Sequence, residues 1–296
     1  MKIISIVESP KIEDSIDDID TYPDYIKSFI DIMKDFDLSK FYLNIKDLEI
    51  TPVEKNETSI YDAGAEYDFF ANVIRYNRNK LKDKIMHELL HVATRVELDD
   101  RINVGFLQTL NSGYGIGIGL NEGYTSLMDD RYFKEYSNKT DEEINNIYPT
   151  EKYICRLLDL LIGEGKMEDY YMNADLYGLY NELASLSNIK ETSDFIVNVD
   201  KLHDEMNRKP IHNYRNILIT YPKIMYYLSK CFLYRFKEEL HYGKINNDQY
   251  NKCVEFVKKL LDDRISCYHI IKSRRQSKYF DMMEKSVNTR IKSRVL

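Results

Sequence analysis

Between Leu81 and Arg95 the chain carries a run that admits few structures. Leu81, Ile85, Met86, Leu89, Leu90, Val92 and Ala93 place apolar side chains nearly all round a helix, yet His87, Glu88 and His91 stand among them. A helix apolar on every side must be largely buried. Imidazoles and a carboxylate buried with it need partners, because unsatisfied polar groups there are costly. Residues four apart share one helix face, with Cβ atoms about 5–6 Å apart. Two imidazoles so placed can converge on one cation at about 2.0–2.1 Å, the bond length of zinc to nitrogen. Glu88, one step round the helix, then sits beside the cation rather than on it, free to take a proton from water.

A catalytic zinc site needs a third protein ligand and a position left for water. The nearby acids are Glu97, Asp99, Asp100 and Glu122. Glu97 lies where the chain leaves the helix, directed away from the histidine face. Glu122 opens a new helix within Gly119-Leu120-Asn121-Glu122-Gly123-Tyr124-Thr125, after a loop long enough to bring it back across the first. Glu122 is the ligand expected, with Glu97 as the alternative.

His87-Glu88-Leu89-Leu90-His91 followed by an Asn-Glu-Gly helix start resembles the gluzincin metallopeptidases, the thermolysin-like clan. It is closer still to bacterial proteins with a Gly-Leu-Asn-Glu-Gly-Tyr-Thr signature after the same helix. The resemblance covers roughly residues 60 to 130. It implies Zn2+ held by His87, His91 and Glu122, with Glu88 as general base, and an edge strand along a substrate cleft, a role open to Asn72–Tyr76. The chain departs from that pattern in places. The gap from His91 to Glu122 is long, and no Gly-x-Met-Glu-Asn motif of the aminopeptidase branch is present. Ser126 stands where thermolysin-like enzymes carry the aspartate that orients a ligand histidine, and Asp129, a turn further on, is a candidate substitute. A donor for the oxyanion is also needed; His212 and Tyr214, in Ile211-His212-Asn213-Tyr214-Arg215, are the candidates, against a polar helix start on the surface. His203, His241 and His269 read as structural histidines.

The rest of the sequence bounds the partners. A net charge of -7 argues against a general nucleic-acid binder. The most apolar later stretch, Ile217 to Leu233, is interrupted by Pro222, Lys223 and Lys230, so no membrane span is expected. Met1 to Glu8 is too short an apolar opening for a secretory signal. Cys155, Cys231, Cys253 and Cys267 lack paired spacing and read as reduced core residues. These readings point to the cytoplasm and to a peptide or protein substrate; oligomeric state is not legible. Gly115, Gly117 and Gly119 read as a turned cleft wall rather than a phosphate loop.

The expected fold is α+β, a zincin-like α/β subdomain at residues 1–135 followed by an all-helical subdomain at 136–296 that closes the cleft. In the first, the pattern predicts a strand at Lys2–Val7, a helix over 23–36, extended chain from Leu43 to Ile50, and a hairpin over 60–77. The zinc helix follows over 81–95 with Asn79 as N-cap, then a helix from about Leu120 to Asp130. In the second, helices are predicted at 150–163, 166–187, 192–206, 211–241 (bent or split at Pro222) and 247–285. Retention of the metal site in a non-catalytic protein-interaction module is the alternative to a peptidase.

Overall fold

Asp68 decides the first element around which the site is built. In this computed structural model, which describes residues 23–53, 64–77, 81–110, 112–137, 147–207, 214–262 and 276–295, its Oδ1 accepts the backbone N–H groups of Phe70 and Ala71 at 3.2 and 3.1 Å. Asn72 then takes a positive φ of 56° and turns the chain back. The result is the predicted hairpin, β2 (Ala65–Asp68) and β3 (Val73–Tyr76). The Tyr67 hydroxyl donates to Asn72 Oδ1 at 2.7 Å, which fastens strand to turn.

β1 (Glu49–Pro52) pairs parallel to β3, so the sheet order is β1-β3-β2. This corrects the edge-strand expectation. Val73–Tyr76 is paired on both sides, and β2 lies at the edge of the sheet among the described residues. Asn77 N–H donates to the Gly64 carbonyl. By alternation in an antiparallel ladder, Glu66 and Asp68 then bond to β3, while Ala65 and Tyr67 turn their N–H and C=O groups outward. A second correction concerns residues 38–46. Helix α1 (Asp24–Ile32) is followed by helix α2 (Ser39–Lys46) and not by extended chain. Phe41 and Ile45, with Leu38 just before the helix, are its buried apolar residues at helical spacing, and Leu43 is exposed.

α3 (Leu81–Thr94) is the expected zinc helix. Ile85, Met86, Leu89, Leu90, Val92 and Ala93 are all fully or almost fully buried, each worth about 1.5–3 kcal/mol for the larger side chains. Asn44 of α2 donates to the carbonyls of Val92 and Arg95, both at 2.9 Å, and so closes the end of α3. The chain then enters an antiparallel meander that the sequence reading left unassigned: β4 (Arg95–Leu98), β5 (Arg101–Val104), β6 (Leu107–Leu110) and β7 (Gly115–Ile116). It brings the chain back to α4 (Ile118–Tyr132), where Gly117 at φ 92° is the N-cap. A Cβ at Gly117 would overlap the Phe106 carbonyl oxygen, so glycine is needed there.

After α5 (Lys134–Ser137) come helices α6 (Pro149–Ile162), α7 (Glu164–Met172), α8 (Leu176–Leu186), α9 (Ile189–Asn207), α10 (Tyr214–His241), α11 (Asn247–Asp262) and α12 (Gln276–Val295). The single helix expected over 166–187 is two, broken where Ala174 takes a φ of 51°. α10 runs through Pro222 without a split. The chain is thus α+β, with its strands confined to the first half among the described residues.

Two compact units divide the chain. One comprises the described residues up to Arg156 with Glu164–Gly178; the other comprises Leu157–Gly163 with those from Leu179 onward. Composition placed the division near residue 135; the contacts place it within and after α6. The second unit is helical. Within it a hydroxyl cluster of Ser187, Thr192 and Tyr227 is buried, and Lys230 pairs with both carboxylate oxygens of Glu191 at 2.7 and 2.8 Å. Cys155 and Cys231 are buried free thiols and Cys253 is a partly buried one. The Lys2–Val7 strand, Asn79, Cys267 and His269 lie outside the described residues. No described helix is long and apolar enough to cross a membrane.

Candidate metal centre

The i, i+4 spacing on α3 brings His87 Nε2 to 3.3 Å from His91 Nε2, with the rings nearly perpendicular. α4 crosses behind them and presents Glu122. One of its oxygens lies 3.4 Å from His87 Nε2, and the other 3.5 Å from His91 Nε2. All three side chains offer one ligand atom within 4.8 Å of the others, and the group can hold a metal ion. Tetrahedral ligands at about 2.0–2.1 Å from a zinc ion stand roughly 3.3–3.4 Å apart, close to these separations. Three lone-pair donors facing one point in a buried site also leave a concentration of negative potential that a cation neutralises.

The histidines are held from behind. Asn121 Oδ1 accepts the Phe106 N–H at 3.1 Å, and its Nδ2 lies 3.3 Å from His91 Nδ1. Thr125 Oγ1 is 3.5 Å from the same nitrogen and can accept its proton when Nε2 is offered to a metal, the tautomer in which the Asn121 amide only packs against the ring. Thr125 also donates to the Asn121 carbonyl and meets the Tyr171 hydroxyl, each at 2.7 Å. Asp129 is buried on α4, and its charge acts on His87. Ser126 is buried with no partner for its hydroxyl among the described residues, so it orients neither histidine.

The proton affinities differ between neighbours. Burial pushes Glu88 up to about 7, reinforced by the Glu122 charge and opposed by His87, Lys84 and a hydrogen bond from the Tyr67 backbone N–H. Burial holds His91 down at about 4. Burial also presses His87 down, but its bond to Glu122 and the charges of Glu88, Glu122 and Asp129 outweigh that and raise it. Tyr148 contacts the same centre. The charge of Glu122 and then burial keep its hydroxyl protonated, it hydrogen-bonds Glu122, and its ring lies 6.3 Å from that of His87.

The structure therefore gathers His87, Glu88, His91 and Glu122 as the sequence reading expected. Glu97 is elsewhere, on β4, with its carboxylate 2.7 Å from Arg95. His212 lies outside the described residues, and Tyr214 opens α10 in the other unit. Tyr148, Asn121, Thr125 and Tyr171 were missed. The Tyr148-Pro149 turn signal marks a helix start but carries no spacing that ties it to residue 122, and Tyr171 carries none that ties it to Thr125. No family model matches the chain, and neither does any curated protein or solved structure.

Proposed function

We propose that the chain is a zinc-dependent metallopeptidase of gluzincin type, with a zincin-like first unit. The observation that carries this reading is Glu88. A buried carboxylate, its proton affinity raised in the metal-free fold, beside a group of two histidines and one glutamate that could hold a metal ion suits a general base. His87, His91 and Glu122 would hold the ion, which supplies polarisation of the attacking water and of the substrate carbonyl. Glu88 accepts a proton from that water and delivers it to the departing amine. His91, neutral down to about pH 4, needs no deprotonation for its part. Tyr67, on the outward-turned side of β2, gives its N–H to Glu88, and that side has no strand beside it among the described residues. An extended peptide can add to such an edge through main-chain hydrogen bonds, which favours a peptide over a compact small molecule as substrate.

A second reading, a zinc-holding interaction module without catalysis, is favoured by Ser126, whose hydroxyl has no partner among the described residues and stands where the resembled family carries an orienting carboxylate. One experiment separates the two. Hydrolysis of an unstructured protein is followed with zinc-loaded wild type, chelator-treated wild type and Glu88→Gln, alongside zinc analysis. Activity lost in both controls while Glu88→Gln keeps its zinc supports the peptidase. Wild type and Glu88→Gln equally inert with zinc bound would reject it.

A further inference from the structure

We propose that Tyr148 is a positioning residue of the metal centre, its hydroxyl fixing the rotation of the Glu122 carboxylate and Gly123 providing the backbone seat that holds it there. The inference rests on the metal-site reading above and adds to it a residue that no ligand motif contains. Three independent features of the fold converge on it.

The first is contact. The Tyr148 hydroxyl hydrogen-bonds Glu122, and its ring is inclined 30° to that of His87. Glu122 sends one oxygen to each imidazole. A carboxylate on a two-bond stem has rotational freedom along its side chain, and a fixed O–H donor removes part of it.

The second is backbone conformation. Tyr148 has a φ of 45° and directly precedes Pro149. A bulky residue rarely adopts that region. Such conformations persist where the surroundings over-determine them, and they cluster where a side chain must be aimed.

The third is the way α6 is fastened to α4. A Cβ at Gly123 would stand 2.7–2.8 Å from the carbonyl carbon, oxygen and Cβ of Glu151, so the first turn of α6 lies directly on the helix at the residue after Glu122. On either side of that contact, Lys152 pairs with Asp130 at 2.7 Å, both well buried. The Cys155 thiol lies 3.6 Å from the Leu120 carbonyl. Tyr148 directly precedes this first turn, so the seating of α6 on α4 sets where its hydroxyl meets Glu122. The Gly of the Asn-Glu-Gly sequence thus acts on the site through its missing side chain.

A different role, donation to a developing oxyanion, would leave Tyr148 without influence on the ion itself, and this sets the test. Full-length wild type, Tyr148→Phe and Gly123→Ala are stripped with chelator. Zinc affinity is read by competition with a chromophoric chelator, and the visible absorption of the Co2+-loaded proteins is recorded. Tyr148→Phe keeps the ring and removes only the O–H. The inference expects its zinc affinity to fall by about tenfold or more, with an altered cobalt spectrum. Gly123→Ala, with the hydroxyl intact, is expected to shift both in the same direction. Wild-type zinc affinity and an unchanged cobalt spectrum in Tyr148→Phe overturn the inference, even if hydrolysis is lost, since that pattern belongs to an oxyanion donor. A wild type that binds no zinc overturns it together with the metal-site reading.

Discussion

The backbone N–H of Tyr67 donates to the carboxylate of Glu88, joining an outward-turned sheet edge to the carboxylate beside His87 and His91. Edge and base are thus one mechanical piece. Replacing Glu88 by Gln keeps shape and an acceptor oxygen for Tyr67 but removes the base. Turnover on an unstructured protein is expected to fall by roughly 10²–10⁴-fold. Zinc content is expected to stay that of wild type, because Glu88 is outside the proposed ligand set. Parallel rate and zinc measurements check both halves.

Zinc binding should be linked to protons through one histidine and not the other. His91, held near 4, is a neutral imidazole at neutrality and has no second proton to give up. His87, raised by Glu122 and its acidic neighbours, holds its second proton to higher pH than a free imidazole, and the ion must displace that proton where it is present. Affinity is therefore expected to rise with pH across neutrality, by up to about tenfold per unit for one proton released. Competition titrations at pH 6, 7 and 8 test this. A flat profile would mean that His87 is already neutral.

Asn121 joins the β5–β6 turn to the metal centre, its Oδ1 on the Phe106 N–H and its Nδ2 beside His91. Asn121→Ala strands a buried backbone donor, at a cost of about 1–3 kcal/mol, and removes the amide packed against the His91 ring. A lower melting temperature together with weaker zinc binding is the expected pair of results. Thermal unfolding with and without zinc separates them, since lost packing lowers both curves equally and lost ligation narrows the gap between them.

What could be read without coordinates was whatever local periodicity or turn chemistry encodes. The α3 ligands share a face by spacing alone, and Asp68 with Asn72 wrote the hairpin. Residues 38–46 misled because Leu43, Ile45, Leu48 and Ile50 imitate strand alternation, while the helical set Leu38, Phe41 and Ile45 is sparse. The meander escaped because Asn103, Gln108 and Thr109 are polar yet buried, which hides both the alternation and the apolar run that signal strands. Tyr148 escaped because its place depends on Gly123 meeting the Glu151 backbone, a contact with no signature in either segment.

Glu88 should also make stability fall as pH rises. Its proton affinity in the fold is about 7, against an ordinary value of 4.5. Below about pH 4.5 the carboxyl is protonated whether the chain is folded or not, and contributes nothing. Between about 4.5 and 7 the unfolded chain ionises first, so unfolding releases a proton and gains on the fold with each increment of pH. Above 7 the full penalty, roughly 3 kcal/mol from a displacement of that size, is in place. Glu88→Gln cannot ionise and lacks this decline. Chelator-treated Glu88→Gln is therefore expected to match wild type near pH 4.5 and to melt several degrees higher at pH 8. The gap should open between those limits. Denaturant or thermal melts of the two proteins across that range give the comparison. Wild type as stable as Glu88→Gln at pH 8 would show that the carboxylate is well solvated in the fold, and the case for Glu88 as a base tuned by burial would fail with it.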